Sequence, residues 1–311
     1  MRVFVTGASG HIGSAVIPEL LRAGHEVIGL ARSEQSASAI EGAGAKVQRG
    51  TLDDLDILRD ASANADGVIH LAFKHDWMAS GDFQGAVDAD FRAISAMGEA
   101  LAGSGKPLVT TSGTLMLTFG GITDRAGTEE DAIPAGPRVD AENHVVALAE
   151  QGVRSSVVRL PPTVHSHLDL HGFVPTLIGF ARETGVAGYV GDGANRWPAV
   201  HTLDAARVYR LALESGPAGR RYHAVSDEGV PFRDIAEAIG RHLGVPTARI
   251  PEDQLEQQFR FLSRFVGADN PTASDITRTT LGWEPSYPLH IEDIDEGHYF
   301  SAAVSSGSPA D

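Results

Sequence analysis

The clearest chemical signal in the chain is a set of three glycines, Gly7, Gly10 and Gly13. They follow the valine-rich segment Arg2–Thr6 and lead into residues whose apolar positions recur at helical spacing. A strand, a glycine turn and a helix in this order bring main-chain N–H groups to a positive helix N-terminus, where they bind a pyrophosphate. The residues predicted to form this phosphate loop are Gly7, Ser9, Gly10, His11, Ile12 and Gly13. A tight strand-to-helix turn without a ligand is the alternative interpretation.

A second candidate contact lies at the end of the next predicted strand, where Arg32 and Ser33 follow Glu26–Leu30. A carboxylate at this place would accept hydrogen bonds from the ribose hydroxyls of NAD, and the chain has none there. Arg32 can instead pair with a 2′-phosphate and stack on adenine, and Ser33 adds a further donor. We therefore predict NADP(H) as the cofactor in preference to NAD(H). The alternative is that Arg32 only caps the end of the strand.

These residues require a sheet that brings the ends of several strands to one edge. Over residues 1–160, short β-branched segments alternate with longer helical patterns, which is typical of repeated βαβ units. The predicted strands are Arg2–Thr6, Glu26–Leu30, Lys46–Arg49, Gly67–Leu71, Leu108–Ser112 and Ser155–Leu160. The predicted helices are His11–Ala23, Glu34–Glu41, Leu55–Ala61, Phe83–Ala102 and Arg138–Glu150. This order predicts an α/β fold with a doubly wound parallel sheet of the Rossmann type.

The chain changes character after residue 160, where loops rich in His, Gly and Pro separate the helical patterns. Four helices are predicted there, namely Phe173–Thr184, Leu203–Glu214, Pro231–Leu243 and Glu252–Arg264. We predict that residues 161–300 mainly form a smaller C-terminal substrate lobe, with parts such as Arg221–Val225 returning to the main sheet. The small and polar residues 301–311 are predicted to be a flexible tail.

Composition excludes several classes of function. The 311 residues include 25 Lys and Arg against 41 Asp and Glu, a net charge of −16, which disfavours binding to nucleic acid or to anionic membranes. The absence of cysteine excludes disulfides, thiolate nucleophiles and cysteine-ligated metals. No run reaches the roughly 18 apolar residues of a membrane span, and the apolar start reaches Gly7 too soon for a signal peptide. We therefore predict a soluble, cytoplasmic protein that acts on a small molecule.

Several motifs together resemble those of the short-chain dehydrogenase/reductase superfamily, in its extended and atypical branch of epimerase/dehydratase-like proteins. The motifs are Thr6-Gly7-Ala8-Ser9-Gly10-His11-Ile12-Gly13, Val68-Ile69-His70-Leu71-Ala72, Thr111-Ser112-Gly113, Arg159-Leu160-Pro161-Pro162 and Val200-His201-Thr202-Leu203-Asp204-Ala205-Ala206. The resemblance implies that further residues contact the cofactor, from the adenine to the nicotinamide: Leu52, Leu71, Ala72, Phe73, Thr111, Pro161 and Pro162. It also implies a homodimer through the helices Phe83–Ala102 and Arg138–Glu150.

The chain departs from this superfamily at the active-site pair, a tyrosine followed four residues later by a lysine. None of the five tyrosines has a lysine four positions after it, and the aligned positions hold Arg138 and Glu142. Arginine keeps its proton, so Arg138 could orient or polarise an acceptor but could not act as a general acid. Glu142 would be anionic unless burial raised its pKa. A surface ion pair between the two, at helical i,i+4 spacing, is the alternative to a functional pair.

Other groups could replace the missing acid. The resemblance implies that Ser112, at the end of the fifth strand, hydrogen-bonds a substrate carbonyl, although an ordinary turn serine is the alternative. The segment after the sixth strand contains three histidines, and we predict His165 or His171 as the proton donor or a substrate hydrogen-bond partner. No metal is predicted. The alternative is a zinc site in which His165, His167 and Asp169 are ligands, since they alternate along the chain.

These observations lead to a functional hypothesis. We expect an atypical NADP(H)-dependent oxidoreductase that transfers hydride to a C=O, C=N or conjugated C=C bond of a small organic molecule without a Tyr/Lys pair. One alternative is a catalytically silent NADP-binding sensor or regulator. Another is an epimerase or dehydratase that returns the hydride to its substrate, so that the reaction is redox-neutral.

Overall fold

Residues 1–79 and 81–301 are described by a computed structural model, in which β-strands and α-helices alternate along the first half of the chain. The strands are β1 Arg2–Thr6, β2 Glu26–Ala31, β3 Lys46–Arg49, β4 Gly67–His70, β5 Pro107–Gly113, β6 Arg154–Leu160, β7 Thr163–His165, β8 Ala187–Tyr189, β9 Arg196–His201, β10 Arg220–His223, β11 Asp227–Pro231 and β12 Thr247–Arg249. The six strands predicted before residue 161 are all present, with ends that differ by at most one residue.

Helices pack on both faces of the sheet and around the second half of the chain. They are α1 His11–Arg22, α2 Glu34–Gly42, α3 Leu55–Asn64, α4 His75–Ala79, α5 Phe83–Leu101, α6 Leu115–Phe119, α7 Val139–Ala147, α8 Phe173–Thr184, α9 Thr202–Ser215, α10 Phe232–Leu243, α11 Leu255–Phe259, α12 Asp275–Leu281 and α13 His290–Asp295. Short 3₁₀ helices occur at Leu148–Gln151, Glu252–Gln254, Arg260–Arg264 and His298–Phe300. Among the described residues, no helix combines the length and the apolar character that crossing a membrane requires.

The central sheet confirms the predicted doubly wound architecture. Its seven strands are all parallel, in the order β10-β6-β5-β4-β1-β2-β3, and the strand order reverses between β1 and β4. In such a sheet, ligands bind outside the carboxyl ends of the strands at this switch point. The fold therefore brings the ends of β1, β4 and β5 to one edge, next to the phosphate loop.

The second half of the chain both completes this sheet and forms a smaller lobe. The strand predicted at Arg221–Val225 is β10, Arg220–His223, which pairs in parallel with β6. Elsewhere, β7, β9 and β11 form a three-stranded sheet, and β8 pairs with β12. This lobe has its own apolar core, in which Trp197 and Phe232 are fully buried with ring centroids 4.8 Å apart. Helix α13 packs against α10 and β9 of this lobe.

Several sequence predictions in this half were wrong or incomplete. The helix predicted at Glu252–Arg264 is three short pieces, because Arg260 has a left-handed backbone with φ 48° that interrupts the α-helix. The loop predicted after Pro162 contains β7, which pairs with β9. The helices α12 and α13 were not predicted at all. Residues 302–311 of the predicted flexible tail lie outside the described part of the chain.

Candidate active site

The phosphate loop has the geometry that the glycine spacing predicts. Gly7 has φ +67°, and a Cβ atom there would lie 2.7 Å from the backbone nitrogen of Ala72 at the end of β4. A Cβ at Gly13 would clash with the carbonyl oxygen of Gly7. Helix α1 begins after Gly10 without a side-chain cap, so no side chain takes up the amides of its first turn. These features fit a pyrophosphate bound by main-chain N–H groups.

The arginine predicted to select NADP(H) is exposed at the end of β2. Arg32 Nη1 lies 3.2 Å from Asp76 Oδ2, and 69% of the Arg32 side chain is exposed. An ion pair this exposed contributes at most about 1 kcal/mol, so an incoming phosphate can replace Asp76. The Ser33 hydroxyl caps α2 by accepting a hydrogen bond from the backbone N–H of Ser36. Nothing in the sequence pointed to Asp76, which is 44 residues from Arg32.

The residues that resemblance assigns to the cofactor surround this edge of the sheet. Leu52 and Pro161 are buried, and the others are partly buried: Leu71, Ala72, Phe73, Thr111 and Pro162. The Thr111 hydroxyl donates a hydrogen bond to the carbonyl oxygen of His70 and is 2.8 Å from the hydroxyl of Tyr209. Tyr209 is fully buried, and burial raises its pKa, so it stays protonated. No sequence pattern indicated the contact between Thr111 and Tyr209, which are 98 residues apart.

Arg138 lies where the ends of β4 and β5 meet. Its guanidinium is 4.1 Å from the centre of the Phe73 ring, and Nη2 donates a hydrogen bond of 3.1 Å to the Thr111 carbonyl oxygen. Among the described residues, no carboxylate lies within ion-pair distance of Arg138, and its Nε is buried without a hydrogen-bond partner. The backbone of Arg138 is left-handed, with φ 64°, immediately before α7. Arg138 is therefore a cation at the carboxyl ends of β4 and β5 that has no carboxylate partner within the described part of the chain.

Glu142 does not form an ion pair with Arg138, so the surface ion pair that was the alternative for these two residues is wrong, whereas a catalytic role of either residue stays a prediction. The Glu142 carboxylate is buried and accepts hydrogen bonds from Arg159 at 3.0 and 2.5 Å and from Arg221 at 2.6 Å. Burial alone would raise the pKa of Glu142, but hydrogen bonds and charge from Arg159, with a further hydrogen bond from Arg221, hold it below its ordinary value. Glu142 is therefore an anion that joins α7 to β6 and β10.

The remaining catalytic candidates differ in where they lie. Ser112 is buried beside Glu142, close enough to help lower the pKa of that carboxyl, although its hydroxyl makes no hydrogen bond of good geometry. His165 is fully buried on β7, against the prediction that it lines the mouth of the cleft, because the rings of His201 and His290 and the Asp293 carboxylate pack around it. His171 is exposed, and its charge helps to lower the pKa of His11. Only His171 of the two histidines is thus accessible to a substrate.

The phosphate loop is connected to the smaller lobe through His11. Its Nε2 is 2.8 Å from the Thr202 hydroxyl, and its Nδ1 is 3.8 Å from an oxygen of Asp169. Burial and nearby histidines lower the pKa of His11 to about 4. Burial raises the pKa of Asp169 to about 7, even though the carboxylate accepts a hydrogen bond from the Gly172 N–H. Among the described residues, the ligand atoms of His165, His167 and Asp169 do not converge, so the zinc site considered for these three is not formed.

The raised pKa of Asp169 leads us to predict how the free energy of unfolding depends on pH. A buried acid with a raised folded-state pKa stabilises the fold at low pH, and that stabilisation is lost as pH rises from about 4 to about 7. We expect Asp169→Asn, whose amide oxygen can still accept the Gly172 hydrogen bond, to be more stable than the wild type at pH 8 by about 2–4 kcal/mol. Urea unfolding at pH 5 and pH 8 measures this, with the exposed Asp60→Asn as the control. A stability difference between the wild type and Asp169→Asn that is the same at pH 5 and pH 8 would contradict the prediction.

Comparison with known proteins agrees with this geometry. The profile of the NAD dependent epimerase/dehydratase family matches residues 3–225. An uncharacterized protein of Schizosaccharomyces pombe is 46% identical over 302 residues, which cover 96% of this chain and all of that protein. The 2-alkyl-3-oxoalkanoate reductase of Stenotrophomonas maltophilia is 27% identical, over 79% of this chain and 77% of the relative.

A solved structure shows the same fold. The dTDP-glucose 4,6-dehydratase of Bacillus anthracis, in complex with NAD, superposes with a TM-score of 0.71 at 17% identity, over 96% of this chain and 95% of that one. Together with the match over residues 3–225, this means that the chain belongs to the NAD dependent epimerase/dehydratase family. The characterised relatives of this chain are oxidoreductases and epimerases of the short-chain dehydrogenase/reductase type. This likeness supports the interpretation that the chain is an enzyme of a nicotinamide-dinucleotide-dependent family.

Proposed function

We propose that this protein is an NADP(H)-dependent oxidoreductase that reduces a C=O, C=N or conjugated C=C bond of a small organic molecule. The observation that carries the proposal is Arg138, a cation at the carboxyl ends of β4 and β5 for which residues 1–79 and 81–301 provide no partner carboxylate. When bound, the nicotinamide supplies or accepts a hydride. The chain itself must then bind, orient and polarise the substrate.

Arg138 takes the orienting role in this proposal. A guanidinium aimed at the acceptor atom stabilises the negative charge that develops there, and the ring of Phe73 and the carbonyl of Thr111 hold it in place. Arginine does not release its proton, so the proton must come from another group. His171 is the exposed candidate, and a water molecule is the other source, since His165 is enclosed. The relative named as an oxoalkanoate reductase supports a carbonyl acceptor.

Cofactor choice gives the next prediction. Arg32 is free to pair with a 2′-phosphate once its exposed contact with Asp76 is replaced. We expect Arg32→Ala to raise the Kd for NADPH about tenfold, because one charge-assisted hydrogen-bonding group is lost, and to change the Kd for NADH less than twofold. Fluorescence titration of the reduced cofactors measures both constants. Arg92→Ala, on the exposed side of α5, is the control, and an equal effect of Arg32→Ala on the two cofactors would contradict NADP selectivity.

Turnover tests the proposal as a whole. NADPH oxidation is followed at 340 nm with panels of ketones, imines and enones, and the same panels are analysed for conversion without cofactor consumption. Net NADPH oxidation coupled to a reduced product supports the proposal. Redox-neutral conversion would instead identify an epimerase or dehydratase. Tight NADPH binding with no conversion of any substrate would favour the sensor and would overturn the reductase.

A further inference from the structure

A cluster of acidic and imidazole groups lies between the smaller lobe and α13. It consists of Asp293, Glu296 and His298, with His165 and His201 behind them. One ligand atom from each of Asp293, Glu296 and His298 lies within 4.8 Å of the other two. Asp293 is buried, His298 is partly buried and Glu296 is exposed, so the group opens to solvent on one side. The proposed reductase activity uses none of these residues.

The Asp293 carboxylate is the centre of this cluster. Its Oδ1 is 3.2 Å from His298 Nε2 and 3.9 Å from His201 Nε2, and its Oδ2 is 3.1 Å from His165 Nδ1. The side chain is 2% exposed, and no lysine or arginine of the described chain lies within 4.0 Å of it. An imidazole carries no fixed positive charge. The Tyr299 hydroxyl also hydrogen-bonds Asp293, but it is neutral because burial raises its pKa. The buried carboxylate therefore has no permanent counter-charge among the described residues, which is an expensive arrangement without a cation.

Buried polar atoms without hydrogen-bond partners point to the same place. Asp293 Oδ2 and His298 Nε2 make no hydrogen bond of acceptable geometry, although both are buried. Neither ring nitrogen of His165 makes one, and this residue is fully enclosed and directed at Asp293. Buried polar atoms in proteins are almost always satisfied by a partner, an ordered water or an ion. The unsatisfied atoms are concentrated where the three candidate ligands converge.

We infer that Asp293, Glu296 and His298 bind a divalent first-row transition metal ion, with zinc as the best match. Carboxylate oxygen and imidazole nitrogen are ligands that zinc accepts at about 2.0–2.2 Å, which separates neighbouring tetrahedral ligand atoms by about 3.3–3.5 Å. The 3.2 Å between Asp293 Oδ1 and His298 Nε2 is close to this separation. Three protein ligands leave the exposed side for a water molecule. Two carboxylates in the set make the site less selective than one of cysteines.

Residues around the cluster can hydrogen-bond the ligands and so orient them, as metal sites require. A metal bound at Asp293 Oδ1 leaves Oδ2 for an N–H of His165, a contact that fixes the orientation of the carboxylate. Asp293 belongs to α13, Glu296 caps the carboxyl end of that helix, and His298 begins the following 3₁₀ helix, whereas His165 belongs to β7. A metal ion would thus fasten the carboxyl-terminal helices to the sheet of the smaller lobe. The hydroxyl of Tyr299, next to His298, already accepts a hydrogen bond from the Ser166 N–H beside β7.

Metal binding to the untagged full-length chain tests this inference. The protein is stripped with a chelator, dialysed, and titrated with ZnCl2 in a calorimeter at pH 7.5. We expect one zinc ion per chain, a melting temperature that rises on zinc binding because the ion binds the folded state, and visible absorption typical of tetrahedral cobalt when Co²⁺ replaces Zn²⁺. Ca²⁺ and Mg²⁺ at the same concentration should not compete, because they prefer sites made of oxygen ligands alone.

Variants locate the site. We expect His298→Ala and Glu296→Gln each to weaken zinc binding at least tenfold while leaving NADPH binding unchanged. His242→Ala is the matched control, because His242 is also partly exposed and lies 3.1 Å from an aspartate, Asp295, outside the cluster. The inference is overturned if the chain binds no zinc at about 100 µM, or if His242→Ala weakens binding as much as His298→Ala does. Because NADPH binding is measured on the same variants, a failure of the zinc inference can be distinguished from a failure of the proposed reductase function.

Discussion

Replacing Arg138 with methionine is expected to lower kcat/KM by a factor of about 10² to 10³ with the substrate that the turnover panel identifies. This is the usual loss when one preorganised donor to a developing negative charge is removed. Arg138 has no partner carboxylate among the described residues, so its charge is available to the substrate. Methionine keeps much of the length of the side chain and can still pack on Phe73. The Kd for NADPH, measured by fluorescence, should change less than threefold.

Two further variants make this result specific. Arg138→Lys retains a positive charge without the planar fork, so it should recover part of the lost kcat/KM. Arg92→Met removes an exposed arginine from α5 and should leave turnover unchanged. If Arg138→Met and Arg92→Met are equally active, Arg138 does not act on the reacting group, and the reductase proposal loses the observation that carries it.

The second large effect is expected on stability rather than on chemistry. Glu142→Gln leaves two arginines, Arg159 and Arg221, facing a neutral amide, and Arg159 is only 1% exposed. Removing one partner of a buried ion pair destabilises a protein by about 3–5 kcal/mol, because the remaining charge is buried without compensation. Urea unfolding at pH 7 and 20 °C measures this loss. The fraction that remains folded should retain the wild-type kcat, since Glu142 faces the sheet and not the cleft.

The pH dependence of this effect has a definite sign. The folded-state pKa of Glu142 is lowered, so its stabilisation is fully present above its ordinary pKa of about 4.5 and is lost as pH falls below that value. The difference between the wild type and Glu142→Gln should therefore shrink between pH 5 and pH 3. Glu150→Gln, at an exposed position after α7, is the control and should be within about 0.5 kcal/mol of the wild type. A normal unfolding curve for Glu142→Gln combined with a large loss of kcat would show that Glu142 is catalytic after all.

The phosphate loop and the central sheet were predictable because each depends on residues that are neighbours along the chain. A valine-rich segment, a glycine turn and a helical apolar pattern follow one another between Arg2 and Arg22, and the structure places β1, the turn and α1 there. The same local logic located Arg32 at the end of β2. Strand β7 was not predicted, because three residues are too few for a pattern to predict a strand.

The catalytic candidates were less predictable, since their partners come from distant parts of the sequence. Helical spacing suggested that Arg138 and Glu142 face each other, but a left-handed backbone at Arg138 places it before the helix begins. Glu142 instead meets Arg221, 79 residues away. His165 was expected at an open cleft and is enclosed by contacts that include Asp293, 128 residues later. A residue pattern within one segment cannot predict contacts between residues that lie so far apart in the sequence.

The sequence by itself determined the strand-and-helix order, the amide-lined turn and the residue types available for chemistry, because hydrophobic periodicity and glycine spacing act over a few residues. Only the tertiary structure decided which charges lie close to a partner: Arg138 has no carboxylate within ion-pair distance in the described part of the chain, and Asp293 lies among imidazoles. The physical reason is that electrostatic pairing depends on distance and burial in three dimensions, which packing sets after the local elements have formed.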